Sequence, residues 1–221
     1  MSKVFSHKSP KYINYCKTHG ITPNNGAFYY SKEIVTNFIP KIKTSRNWVT
    51  VNIPENCWDD SIVFIHNNAN PERYWWLYRF KNLILVCSQI KTLRFVSELF
   101  PRFHCILIPL SVDTKYVEKY KVKRKTKDVA YYGRIEKCPK KINNDEKIVK
   151  IYGNNRSQLL KEVAKYKTVY AIGRCAIEAK ILGCNVKPHK GEYENTSFDI
   201  IDNEEVIPEL QRLINEIDGV K

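Results

Sequence analysis

Residues 82–110 read NLILVCSQIKTLRFVSELFPRFHCILIPL, and the fold turns on how this stretch is read. Leu83–Cys87 is an unbroken apolar run too short for a buried helix and rich enough in branched residues for a strand. Ile90, Leu93, Val96, Leu99 and Phe100 then recur at helical spacing, with mostly polar residues between them. A second apolar run, Cys105–Leu110, follows and is closed by Pro109. Strands that are apolar on both faces and joined by an amphipathic helix belong to a parallel sheet covered by helices.

The same grammar extends in both directions. Upstream, SIVFIH (61–66) is a compact β-branched strand, and NNANPERYWWLYRF (67–80) begins with turn residues and continues as an aromatic helix. Downstream, a charged connector with a short helix leads to the strand DVAYYG (128–133). The rest reads as strand 147–153, helix 156–166, strand 167–172, helix 173–183 and short strand 184–188, stopped by Pro188. DIID (199–202) reads as a last short strand and residues 203–217 as a closing helix. In residues 1–60 the pattern resolves only a helix over 31–38 and a strand over 47–53. Two βαβαβ units therefore follow one another, divided into residues 1–115 and 116–221. The fold class is α/β with two small Rossmann-like parallel-sheet units.

Composition narrows the function. A chain of 221 residues, 43% hydrophobic, builds ordinary cores and is not disordered by composition. No apolar run approaches the roughly 20 residues a membrane helix needs, and the N-terminus lacks a signal-peptide pattern, so a cytoplasmic protein is expected. Seven cysteines without a CxxC pair, and no Cys/His group at zinc-ligand spacing, read as reduced thiols. The net charge of +14 favours anionic partners (nucleic acid, anionic lipid or nucleotide phosphates), with a solvated lysine-rich surface as the plain alternative. Between Lys115 and Lys141 eleven Lys/Arg face three Asp/Glu, more than half of the excess in one stretch.

Three segments carry candidate chemistry. In DVAYYGRIEKCPKK (128–141) a strand ends at Gly133, where ligands of open α/β sheets collect. Arg134 offers a planar fork for phosphate oxygens, and Lys137 adds a point charge; a solvated basic loop is the plain alternative. In AIGRCAIEAKILGCNVKP (171–188) Gly173 separates strand from helix, so helix-start amides can face an anion. Arg174 and Glu178 share a helix face at i, i+4, where the carboxylate either accepts ribose hydroxyls or simply pairs with the arginine. His66 ends a first-unit strand, either positioning a hydroxyl and moving a proton or holding structure.

Taken together these segments resemble retaining glycosyltransferases of the two-Rossmann GT-B fold. LILVCSQIKTLRFV resembles the family's strand and serine before a helix, and ILIPLSVDTKYV its crossing segment between domains. DVAYYGRIEKCPKK resembles its strand followed by Gly-Arg and a lysine, and AIGRCAIEAKILGCNVKP its Gly…Glu-Ala segment. The resemblance implies a transferase with a nucleotide sugar as co-substrate and no further cofactor. It places Gly133, Arg134 and Lys137 on the donor diphosphate. Gly173 then faces donor phosphate, Glu178 the ribose, and His66 the acceptor, with Arg174, beside Gly173, included among the donor-binding candidates. No DxD stands at a strand end, so metal-independent transfer is expected; the charge of +14 suggests a polyanionic acceptor, either modified DNA or a teichoic-acid-like polymer made at a membrane surface. The family usually carries an acidic residue eight positions before this glutamate, where the chain has Tyr170. A non-catalytic nucleotide- or nucleic-acid-binding protein on the same fold is the alternative.

Overall fold

The computed structural model describes residues 2–20, 26–51, 56–65, 74–153, 155–189 and 198–219. It contains two compact units, Met1–Leu110 with Asn203–Lys221, and Ser111–Asp202. Both are α/β, and both sheets are parallel throughout.

The first unit holds strands β1 (Val4–Phe5), β2 (Asn47–Val49), β3 (Ser61–Ile65), β4 (Ile84–Cys87) and β5 (His104–Leu107), lying side by side in that order. Every residue of β3 and β4 is buried, because each of their faces is covered. On one face Val63, Ile65, Leu85 and Cys87 share a core with Tyr12 and Cys16 of α1 (Pro10–Thr18) and Val96 of α3 (Ile90–Leu99). On the other, Phe64 stacks on Trp48 at 6.2 Å and receives Tyr30 and Phe38 edge-on at 6.1 and 6.5 Å. Tyr30 lies in α2 (Gly26–Glu33), and Phe38 closes the π-helical turn Ile34–Phe38 that continues it. The helix expected over 31–38 is thus the end of a longer one, and it stops two residues before Pro40 as that proline requires. The aromatic helix expected over 67–80 is, in its described part, the 3-10 turn Trp75–Arg79, which buries Trp76 and Leu77.

The closing helix α8 (Asn203–Asp218) belongs to the first unit, although a division at residue 115 places it in the second. Its apolar stripe, Val206, Ile207, Leu210 and Ile214, is buried, and its polar flank is tied to first-unit residues. Arg46 donates through Nε and Nη2 to Asp218 Oδ1 at 2.8 and 2.6 Å, and through Nη1 to the Asn82 carbonyl at 2.6 Å. Gln211 exchanges hydrogen bonds with the Lys43 backbone, Asn203 donates to Glu33, and Lys41 pairs with Glu204.

The second unit holds β6 (Lys127–Tyr132), β7 (Val149–Ile151), β8 (Tyr166–Tyr170) and β9 (Asn185–Lys187), in the order β7-β6-β8-β9. Its helices are α4 (Thr114–Glu118), α5 (Lys140–Asn143), α6 (Arg156–Val163) and α7 (Arg174–Ile181). Residues 199–202 form only an isolated bridge, Asp202 to Val112, instead of a full strand.

Candidate functional site

Strand order locates the site. The first sheet runs β1 to β5 without reversing, whereas in the second β6 is followed by β7 on one side and then by β8 on the other. Right-handed crossovers send the connections after β6 and β8 to opposite faces of the sheet. The cores agree: Tyr131 packs with Ile142 of α5, while the next residue, Tyr132, points to α7 and hydrogen-bonds Glu178. Open α/β sheets bind ligands outside the carboxyl ends of the strands at such a reversal, here β6 and β8. These two strands pair directly, Tyr131 opposite Tyr170. Gly133-Arg134 follows one and Gly173-Arg174 the other, so two of the three sequence segments meet at one edge.

Each glycine has its own reason. Gly173 caps α7 at φ 56° and ψ −136°, a conformation that favours glycine. Among the described residues a Cβ there would meet nothing within 4 Å. At Gly133 a Cβ would stand 2.9 Å from the Tyr131 hydroxyl and 3.2 Å from its Cζ. Tyr131 folds back over the turn and donates to the Arg134 carbonyl at 2.8 Å. The close approach that the glycine permits is made by a tyrosine of its own strand, which fixes the backbone from which Arg134 projects. The Arg134 side chain is exposed and makes no hydrogen bond or ion pair among the described residues. Lys137, exposed, ends the 3-10 turn Ile135–Lys137.

Glu178 is only 2% exposed. Its Oε1 accepts from Arg174 Nε at 2.9 Å and from Arg156 Nε at 3.1 Å, and lies 2.8 Å from Arg156 Nη2 as an ion pair. Its Oε2 accepts from the Tyr132 hydroxyl at 2.6 Å. Both oxygens are engaged inside the protein, so the carboxylate holds two guanidiniums where the resemblance has it face a ribose. Burial first, and then the charge of Glu178, hold the Tyr132 hydroxyl well above its ordinary range, so it remains a donor. Burial likewise pushes the Cys175 thiol up to about 12, which leaves it protonated and weakly nucleophilic.

Arg156 is not among the sequence candidates, yet its signal is present. It is the first residue of α6, as Arg174 is of α7. A cation at a helix N-terminus opposes the partial positive charge already there. Two such arginines in successive helices break the local rule together, which is where a site is to be sought. Arg156 also lies 5.0 Å over the Tyr116 ring.

His66 lies outside the described residues, directly after β3 in sequence. A different histidine, His7, stands just past the carboxyl end of β1 and is buried. Its Nδ1 lies 3.1 Å from Ser31 Oγ, which lies 2.7 Å from Thr50 Oγ1, which donates to the Phe5 carbonyl. That carbonyl can only accept, so the chain of donors runs back to the imidazole: Ser31 donates to Thr50, and His7 donates from Nδ1. Burial, then the charges of Lys8 and Lys32, lower its pKa to about 4.

Among the described residues no three His, Cys, Asp or Glu side chains are grouped to hold a metal, and no helix is long and apolar enough to cross a membrane. Comparison with protein-family models, with curated proteins and with solved structures gives no match.

Proposed function

We propose that the chain is a glycosyltransferase that takes a sugar from a nucleoside-diphosphate donor bound at the carboxyl edge of β6 and β8. The observation that carries this reading is the meeting of two Gly-Arg turns at neighbouring strand ends, where the strand order reverses. Two all-parallel Rossmann-like units are consistent with the two-domain glycosyltransferases that the sequence resembles.

In this reading the diphosphate lies between the two turns. Arg134 and Lys137 contact its oxygens from the β6 side, and the amides that open α7 after Gly173 contact them from the β8 side. When the sugar leaves, negative charge grows on the diphosphate, and fixed cations there stabilise the transition state without reorganising. Glu178 acts as a positioning residue: it aims Arg174 and Arg156 and does not touch the ribose. His66 is the first-unit candidate for meeting the acceptor hydroxyl. The charge of +14 points to a polyanionic acceptor such as DNA.

The test is release of nucleoside diphosphate from a panel of nucleotide sugars, with and without candidate acceptors. Release that Arg134→Ala abolishes supports the proposal. Tyr170, at the position of the family's acidic residue, packs beside Tyr131 and Ile142 and brings no carboxylate to that strand end. This favours the second reading, a non-catalytic nucleotide-binding protein, and nucleotide binding without release from any sugar conjugate would select it.

A further inference from the structure

The basic stretch 115–141 is one run in the sequence and two surfaces in the fold. Strand β6 divides it. Arg134, Lys137, Lys140 and Lys141 follow the strand at its carboxyl end; Lys119, Lys121, Lys123, Arg124 and Lys125 precede it at its amino end. Six residues of strand separate the groups by about 20 Å, too far for one diphosphate to reach both.

The amino-edge group is built in a definite way. Lys125 turns inward, donating to the Ala164 and Leu182 carbonyls at 2.7 and 2.6 Å. These residues cap the C-termini of α6 and α7, so two partially negative helix ends offset this one ammonium. Lys119, Lys121, Lys123 and Arg124 remain exposed and make no ion pair among the described residues. The nearby acids are already taken: Glu162 by Lys127 and Lys165 at 2.5 and 2.7 Å, and Asp128 by Lys167 at 2.8 Å. Glu118 is the single carboxylate within residues 115–127.

We propose that this amino-edge surface of the second unit binds the phosphate backbone of a nucleic acid. Four exposed cations within six residues carry more positive charge than a single phosphate balances, whereas duplex DNA carries one negative charge per roughly 1.7 Å of axis. A bilayer is the poorer match. Among the described residues the exposed large apolar side chains lie outside 115–128, so that segment presents none to a membrane. The surface supplies affinity without base readout, as phosphate contacts do. It stands apart from the donor site and serves either reading of that site.

The experiment is fluorescence anisotropy of a labelled duplex DNA of about 20 base pairs, titrated with the full chain across 50–200 mM salt. The variant is Lys121→Glu/Lys123→Glu/Arg124→Glu, and the control is Lys17→Glu/Lys91→Glu/Arg94→Glu, the same charge change on exposed residues of the first unit. Both must melt like the parent. The parent should bind with a steep salt dependence. The patch variant should lose affinity more than tenfold, with a log–log salt slope shallower by about 2.7, some 0.9 for each phosphate left unneutralised. The control should stay within about threefold. Equal losses in both variants would reduce the binding to overall charge and overturn the surface. So would no binding of DNA by the parent, or preferential binding of phosphatidylserine vesicles or polyglutamate. No nucleotide sugar is present, so the outcome is separate from that of the donor-site proposal.

Discussion

Arg134 and Glu178 are both candidates for the donor site, yet their surroundings give their substitutions opposite signatures. Arg134 projects into solvent, so Arg134→Ala should leave stability within about 0.5 kcal/mol of the parent while weakening nucleotide binding. Glu178 is buried and shared by two arginines and a tyrosine, so Glu178→Ala should cost about 3–5 kcal/mol in urea unfolding. A stability loss under 1 kcal/mol would contradict the cluster. His7 gives a prediction in pH. Its folded-state pKa is lowered from 6.5 to about 4, so below pH 6.5 the unfolded chain takes up the proton first. Its contribution is fully present above about pH 6.5 and fades as the pH falls toward 4, by roughly 3 kcal/mol over the window. His7→Asn should flatten the stability profile in that window; an unchanged slope would remove His7 as its source.

At the scale of elements, the central strands and their helices are legible because long apolar runs leave little choice. Ile84–Cys87 and the Ile90–Leu99 helix lie where the periodicity puts them. Val4–Phe5 escapes because two residues set no period, and it becomes a strand only by pairing with Trp48 and Val49. The π turn after Glu33 is equally invisible, since its hydrogen bonds change register without changing the apolar pattern. The place of α8 is the clearest case. Its stripe announces a helix, but no local feature says which unit it covers; Arg46, 172 residues from Asp218, decides that. Leu210 is fully buried, so Leu210→Ala should cost about 2–5 kcal/mol. In hydrogen exchange the lost protection should fall on β1–β5 and spare β6–β9. The reverse distribution would place the helix with the second unit.

For the whole molecule, the decisive information is topological. Gly133-Arg134 and Gly173-Arg174 are visible as motifs, but their meeting depends on β8 pairing with β6 past β7, a long-range fact that neither segment contains. The engaged state of Glu178 is hidden for the same reason, because Arg156 reaches it from another helix and Tyr132 from a strand 46 residues away. Topology also divides one basic run into two groups of cations at opposite ends of a strand. The central claim is that the carboxyl-edge site binds a nucleoside diphosphate, and calorimetric titration of UDP, GDP, ADP and TDP into the parent and Arg134→Ala tests it most directly. One nucleotide should bind the parent, and the variant should lose at least about tenfold in affinity, as expected for a charge-assisted hydrogen bond to phosphate. Equal affinity in the two proteins, or no binding by any nucleotide to a protein that melts cooperatively, would contradict the account.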